Sequence, residues 1–134
     1  GLILLVEDEV ILGRSTCRLL EQSGHKVHSV SSGVDAIRWF ESIKTKPDLI
    51  LLDMNMPGMS GADTYRALKR MNPDCFALIY SGYWTQEEEE QLREEGILDF
   101  IQKPFDAQQL REAVSLAMKK IRKHRITKTQ VTPT

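Results

Sequence analysis

Short apolar runs alternate along this chain with longer helical patterns, and that alternation limits the fold more than any other feature. Residues 2–6, 27–30, 49–52, 76–80 and 100–101 read as five strands. The first, third and fourth are almost continuously apolar, the pattern of strands covered on both faces of a parallel sheet. The stretches between them carry helix-start signals. Ser32 with Asp35, Ser60 with Asp63 and Thr85 with Glu88 have the spacing of N-cap boxes, and Asp106 with Gln109 is a close variant. Gly24 and Gly96 stand where the first and fourth helices should stop. Leu110, Ala113, Val114, Ala117 and Ile121 form one core-facing stripe on the last helix. Five strand–helix units in series predict an α/β fold with a single doubly wound parallel sheet and right-handed crossovers.

Composition removes several function classes. The 134 residues suit one domain, and 41% hydrophobic with 28% charged residues exclude a disordered chain. No apolar run approaches the ~18 residues of a membrane span, and no signal-peptide pattern opens the chain, so no membrane contact is expected of this domain. A net charge of −1 argues against direct nucleic-acid binding. Cys17 and Cys75 lie outside any Cys-x-x-Cys spacing and read as buried thiols, which suits a reducing cytoplasm. Gly1 in place of an initiator Met suggests a trimmed chain or a piece of a larger protein. The expected organisation is one domain over residues 1–125 and a polar tail or linker over 126–134.

In an open α/β sheet, ligands sit beyond the carboxyl ends of the strands. Glu7 and Asp8 end the first strand, Asp53 the third, and Ser81 with Gly82 the fourth; Lys103 and Pro104 follow the fifth. Three carboxylates at one sheet edge repel one another by a few kcal/mol per pair, taking an effective dielectric near 20. Hard oxygen ligands on a partly open site suit Mg²⁺. A divalent cation beside a free carboxylate, an ammonium and a hydroxyl is a site for a phosphoryl group, where a carboxylate could attack phosphorus in line.

Four segments carry a resemblance. Ile3-Leu4-Leu5-Val6-Glu7-Asp8-Glu9 resembles the first strand and acidic pair of two-component receiver (response-regulator, CheY-like) domains. Leu51-Leu52-Asp53-Met54-Asn55-Met56-Pro57-Gly58-Met59-Ser60-Gly61 resembles their phosphoacceptor segment. Ile79-Tyr80-Ser81-Gly82-Tyr83 and Asp99-Phe100-Ile101-Gln102-Lys103-Pro104-Phe105 resemble their switch-hydroxyl and lysine–proline segments. The match runs in order over roughly residues 2–123. It implies a flavodoxin-like (βα)5 fold with strand order 2-1-3-4-5. It implies that Asp53 accepts the phosphoryl group, and that Asp8, Asp53 and the backbone carbonyl of Asn55 ligate Mg²⁺ or Mn²⁺, with Glu7 acting through water. Lys103 would contact phosphoryl oxygens, and its bond to Pro104 would be cis. Ser81 and Phe100 would be the switch pair, and Asn55 and Tyr83 would tune reaction rates.

The implied partner is a histidine kinase or a histidine phosphotransfer domain, in a cytoplasmic phosphorelay. The implied product is an aspartyl phosphate on a signalling protein, not an enzyme beyond its own phosphotransfer and dephosphorylation. The parent chain reads first as a hybrid sensor histidine kinase, then as a response regulator, then as a stand-alone receiver. An acidic run at Glu87–Glu90 and a basic run at 119–125 fit macrodipole complementation. They also fit a homodimer through the fourth helix, fifth strand and fifth helix. The main rival is a phosphorylation-independent pseudo-receiver acting as a protein-interaction scaffold. An aspartate-nucleophile phosphatase would want an acid two residues beyond the nucleophile, where Asn55 stands. A nucleic-acid module would rest on the short basic stretch at 119–128 alone.

Overall fold

Strands and helices alternate strictly along the computed structural model, which describes residues 1–131. The order is β1 (Leu2–Val6), α1 (Val10–Gln22), β2 (Lys26–Val30), α2 (Gly33–Ser42), β3 (Leu49–Asp53), α3 (Gly61–Met71), β4 (Ala77–Ser81), α4 (Gln86–Glu94), β5 (Asp99–Gln102) and α5 (Ala107–Val131). All neighbouring strands pair in parallel, in the order β2-β1-β3-β4-β5. This is the flavodoxin-like receiver architecture expected from the sequence.

Side-chain alternation splits the core into two layers. Leu4, Val6, Ile50, Leu52 and Ile79 pack with Phe40 of α2, Leu68 of α3 and Leu92 of α4. Ile3, Leu5, Leu49, Leu51, Leu78 and Tyr80 pack with Leu20 of α1 and with Leu110, Val114, Ala117 and Ile121 of α5. Strands β3 and β4 are buried throughout, whereas the edge strands β2 and β5 are partly exposed.

The N-cap signals operate as read. Ser32, Ser60 and Thr85 each accept the backbone N–H three residues on, and Glu88 completes a box on Thr85. Asp106 and Gln109 bond reciprocally, at 2.7 and 2.8 Å. Gly24 and Gly96 have positive φ, at 93° and 108°. Three expectations shift. Strand β4 lies one residue later, because Ser81 still pairs with Gln102 in the ladder. Cys17 is half-buried, not buried like Cys75. The last helix runs on to Val131 rather than ending near 125, since neither Gly nor Pro interrupts residues 126–131. Positions 132–134 of the expected tail lie outside the described residues.

One glycine is needed where the site is built. A Cβ on Gly61 would stand 2.2 Å from the Asp53 carbonyl oxygen and 2.8 Å from the Met54 Cα. The start of α3 therefore touches the backbone at the end of β3, and Gly61 N–H donates to the Met54 carbonyl at 3.0 Å. Gly61→Ala should cost about 2 kcal/mol of stability through forced backbone displacement. That is a fall of roughly 6–10 °C in thermal midpoint. Gly82→Ala, whose added Cβ meets nothing within 4 Å, should stay within about 0.5 kcal/mol. Equal losses in the two variants would refute the steric account.

Candidate functional site

The register brings the site together. Val6 pairs with Leu52, and Asp53 pairs with Tyr80, so Glu7, Asp53 and Tyr80 stand abreast at the carboxyl ends of β1, β3 and β4. The period-two alternation puts all three on the α1/α5 side, with Lys103 just beyond β5. Ser81, one residue after Tyr80, falls on the α3/α4 side.

Buried apolar strands force the carboxylates out of water. Glu7 is 3% and Asp53 1% exposed, while Asp8 is half-buried. One oxygen from each of Glu7, Asp8 and Asp53 lies within 4.8 Å of the others. At that spacing two like charges repel by about 3.5 kcal/mol for an effective dielectric near 20. Lys103 Nζ lies 3.2 Å from Asp53 Oδ2 and 3.8 Å from Glu7 Oε1. One ammonium against three carboxylates leaves the cluster negative. The donor set is all oxygen, anionic and open at Asp8, which fits a hard divalent cation.

Each carboxylate is also held by hydrogen bonds. Asn55 N–H donates to Asp53 Oδ1 at 3.1 Å. Glu9 N–H donates to Glu7 Oε2 at 3.0 Å, and the Tyr80 hydroxyl donates to Glu7 Oε1 at 2.7 Å. Burial pushes the Glu7 carboxyl up to about 7, with the neighbouring Asp53 charge adding to the rise and the Glu9 and Tyr80 hydrogen bonds opposing it. Burial, then the Glu7 carboxylate, pushes the Tyr80 phenol far above its usual range.

Ser81 is buried and its hydrogen-bonding capacity is full. Its hydroxyl donates to the Tyr83 carbonyl at 2.7 Å and accepts from Tyr83 N–H at 3.2 Å and Asn55 Nδ2 at 2.8 Å. The Lys103–Pro104 peptide bond is cis. Phe100 is half-buried, with its ring 5.2 Å from Trp84 and 5.4 Å from the Arg93 guanidinium. The Trp84 indole N–H donates to Glu89, which also pairs with Arg93. Tyr83 is exposed.

The structure thus draws together Glu7, Asp8, Asp53 and Lys103, and links Asn55 to Ser81. It sets Phe100 apart, under Trp84 on the α4 side. Sequence reading missed Tyr80, which passes for a core residue, and Trp84. The available signal for Tyr80 was a phenol in a fully buried central strand, where a hydroxyl needs a partner.

A family model described as "Response regulator receiver domain" matches residues 3–115. The chain belongs to the response regulator receiver family. It is 32% identical over 118 residues to sensor kinase CckA of Brucella abortus, covering 88% of this chain and 12% of that protein. It is 29% identical over 112 residues to sporulation initiation phosphotransferase F of Bacillus subtilis, covering 84% of this chain and 89% of that one. The relatives therefore differ widely in length, and the chain spans only 31% of a matching cyclic di-GMP phosphodiesterase from Thermotoga maritima. Among solved structures, the signal receiver domain of a putative Luxo repressor protein from Vibrio parahaemolyticus superposes with a TM-score of 0.84 at 28% identity, over 94% of this chain and 95% of that one.

The Glu7 environment sets a pH dependence in this receiver domain. A carboxyl raised to about 7 in the folded state is stabilising while protonated. That contribution is complete below the unfolded value near 4.5 and is lost as pH rises through about 7. In chelator-containing buffer, urea unfolding should show Glu7→Gln gaining on wild type as pH rises across this window. Parallel stability curves would refute the assignment.

Proposed function

We propose that this receiver domain takes a phosphoryl group from phosphohistidine onto Asp53 in a two-component phosphorelay. The observation that carries the reading is the placement of the buried Asp53 carboxylate 3.2 Å from Lys103 Nζ and within 4.8 Å of the Glu7 and Asp8 oxygens. An Asp53 oxygen attacks phosphorus in line. The P–N bond to the donor histidine breaks, and its electron pair remains on the imidazole, which takes up a proton. Lys103 stays with the transferred phosphoryl oxygens. Asp8, Asp53 and the Asn55 carbonyl would hold Mg²⁺ or Mn²⁺, with Glu7 acting through water. The ion supplies charge neutralisation for the acceptor and the phosphoryl oxygens.

Ser81 responds to the new charge. Its proton now goes to the Tyr83 carbonyl. To donate to a phosphoryl oxygen it must release that bond, which moves residues 82–84 and with them Trp84 on Phe100 and α4. Asn55 and Tyr83, both bonded to Ser81, set the rates of gain and loss.

Exposed Val10 and Ile11, at 64% and 83%, and the hollow lined by Leu12, Pro104 and Phe105 adjoin the site. They offer an apolar collar for a histidine kinase or histidine phosphotransfer domain. The acidic start of α4 and the basic end of α5 support a homodimer through α4, β5 and α5, although Arg125 already pairs with Asp48 at 2.9 Å. No described helix is long and apolar enough to cross a membrane, and we place the domain in the cytoplasm. The similarity to a sensor kinase supports a hybrid kinase as parent chain. The domain catalyses only its own phosphotransfer and dephosphorylation.

Incubation with a small phosphodonor and Mg²⁺, followed by intact mass measurement, tests this. Wild type should gain one phosphoryl group, and Asp53→Asn should gain none. Lys103→Ala should lose labelling by about a hundredfold or more, since it removes a preorganised charge aimed at the transferred group. Full labelling of Asp53→Asn would overturn the assignment of Asp53 as acceptor, and a wild type that takes up no phosphoryl group would favour a phosphorylation-independent scaffold.

A further inference from the structure

A buried phenol lies beneath the acidic cluster, and the phosphotransfer scheme leaves it without a task. Tyr80 is fully buried in β4, between Asp53 on β3 and Ile101 on β5 in the ladder. Its ring is fixed on two sides. Phe105 meets it edge-on at 5.6 Å, and Lys103 Nζ sits 5.1 Å from its centroid. Its hydroxyl reaches past Asp53 to donate to Glu7 Oε1 at 2.7 Å. With Glu9 N–H on Oε2, each Glu7 oxygen has one donor, and the carboxylate plane is pinned from both ends.

We infer that Tyr80 is a positioning residue for the cation site, holding Glu7 in the cluster and keeping Lys103 on Asp53. The argument rests on the phosphoacceptor reading above. Lys103 stands closer to Asp53 Oδ2 than to Glu7 Oε1, at 3.2 against 3.8 Å. The short phenol bond occupies the Glu7 oxygen that would otherwise attract the ammonium. Without it, Glu7 Oε1 is a buried acceptor with one distant cation, and it relieves that deficit by closing on Lys103. The ammonium then leaves Asp53, and Glu7 turns away from Asp8. With Glu7 turned out of the cluster and paired to the ammonium, the cluster's hold on a divalent ion weakens. A phenol on the far side of a metal-binding carboxylate thus has the part that outer hydrogen-bond partners have at other metal sites, where removing one costs ten- to a hundredfold in affinity.

Tyr80→Phe keeps the ring, its packing on Phe105 and its shape, and deletes only the hydroxyl. Two measurements on the intact chain decide the matter: Mg²⁺ affinity by calorimetric titration, and the Mg²⁺ concentration giving half-maximal labelling by a small phosphodonor. Tyr80→Phe should weaken Mg²⁺ binding by about tenfold or more and raise the half-saturating Mg²⁺ to match. The same substitution on the Glu7→Gln background should add little further loss, because residues acting through one contact are non-additive. Should Tyr80→Phe fail to fold, the Tyr80 Cζ resonance in selectively labelled wild type still tests the inference. It should move on Mg²⁺ addition, and not in Glu7→Gln. Wild-type Mg²⁺ affinity in Tyr80→Phe, an equal loss on both backgrounds, or a Tyr80 resonance indifferent to Mg²⁺ would overturn the positioning role and leave the phosphoacceptor reading standing. Failure of wild type itself to bind Mg²⁺ and accept phosphate would overturn that reading instead.

Discussion

Excess negative charge at the mouth of the sheet is the constraint on which the rest of this molecule depends. Apolar strands β1 and β3 carry Glu7 and Asp53 into near-complete burial, and Asp8 closes the group. One lysine offsets part of the repulsion. The fold tolerates the remainder because its two buried layers, and not the site, provide its stability. A centre left electrostatically incomplete favours whatever brings positive charge, and its all-oxygen donor set could hold a hard divalent cation.

Strand β4 divides the labour. Tyr80 faces the α1/α5 side, where the carboxylates and Lys103 are, and Ser81 faces the α3/α4 side, where Asn55 and the 82–84 loop are. Two adjacent residues thus face opposite sides of one strand, and in the function proposed above Tyr80 would serve the cation site and Ser81 the response. Between loop and helix lies Trp84, packed at a tilt against Phe100 and bonded to Glu89, which Arg93 ties to Asp99 and to β5. A displacement that begins at a single hydroxyl therefore meets a connected set of contacts, all on the α4 side.

Much of this was legible in the sequence because it depended on strand ends and helix starts. Asp53 closes an unbroken apolar run, so its position at the sheet's mouth follows from periodicity alone. The caps at Ser32, Ser60 and Thr85 were read from spacing, and the bonds are made. What escaped depended on tertiary placement. Tyr80 counts as apolar in a strand pattern, and only the register reveals that its hydroxyl meets Glu7 across β3. The Asn55 amide lies in a loop after β3, where no period fixes direction, so its bond to Ser81 could not be read. The end of α5 departs from the expectation because a polar composition after residue 124 resembles a tail, whereas residues 126–131 hold neither Gly nor Pro.

The saturated hydroxyl of Ser81 has a consequence for how such a domain counts. A hydroxyl owns a single proton, and here that proton rests on the Tyr83 carbonyl. A new acceptor that draws the proton to another side of the side chain would take it from the Tyr83 carbonyl. If Ser81 is the switch proposed above, each molecule would be binary, and a graded signal would arise as a census of molecules in one arrangement or the other.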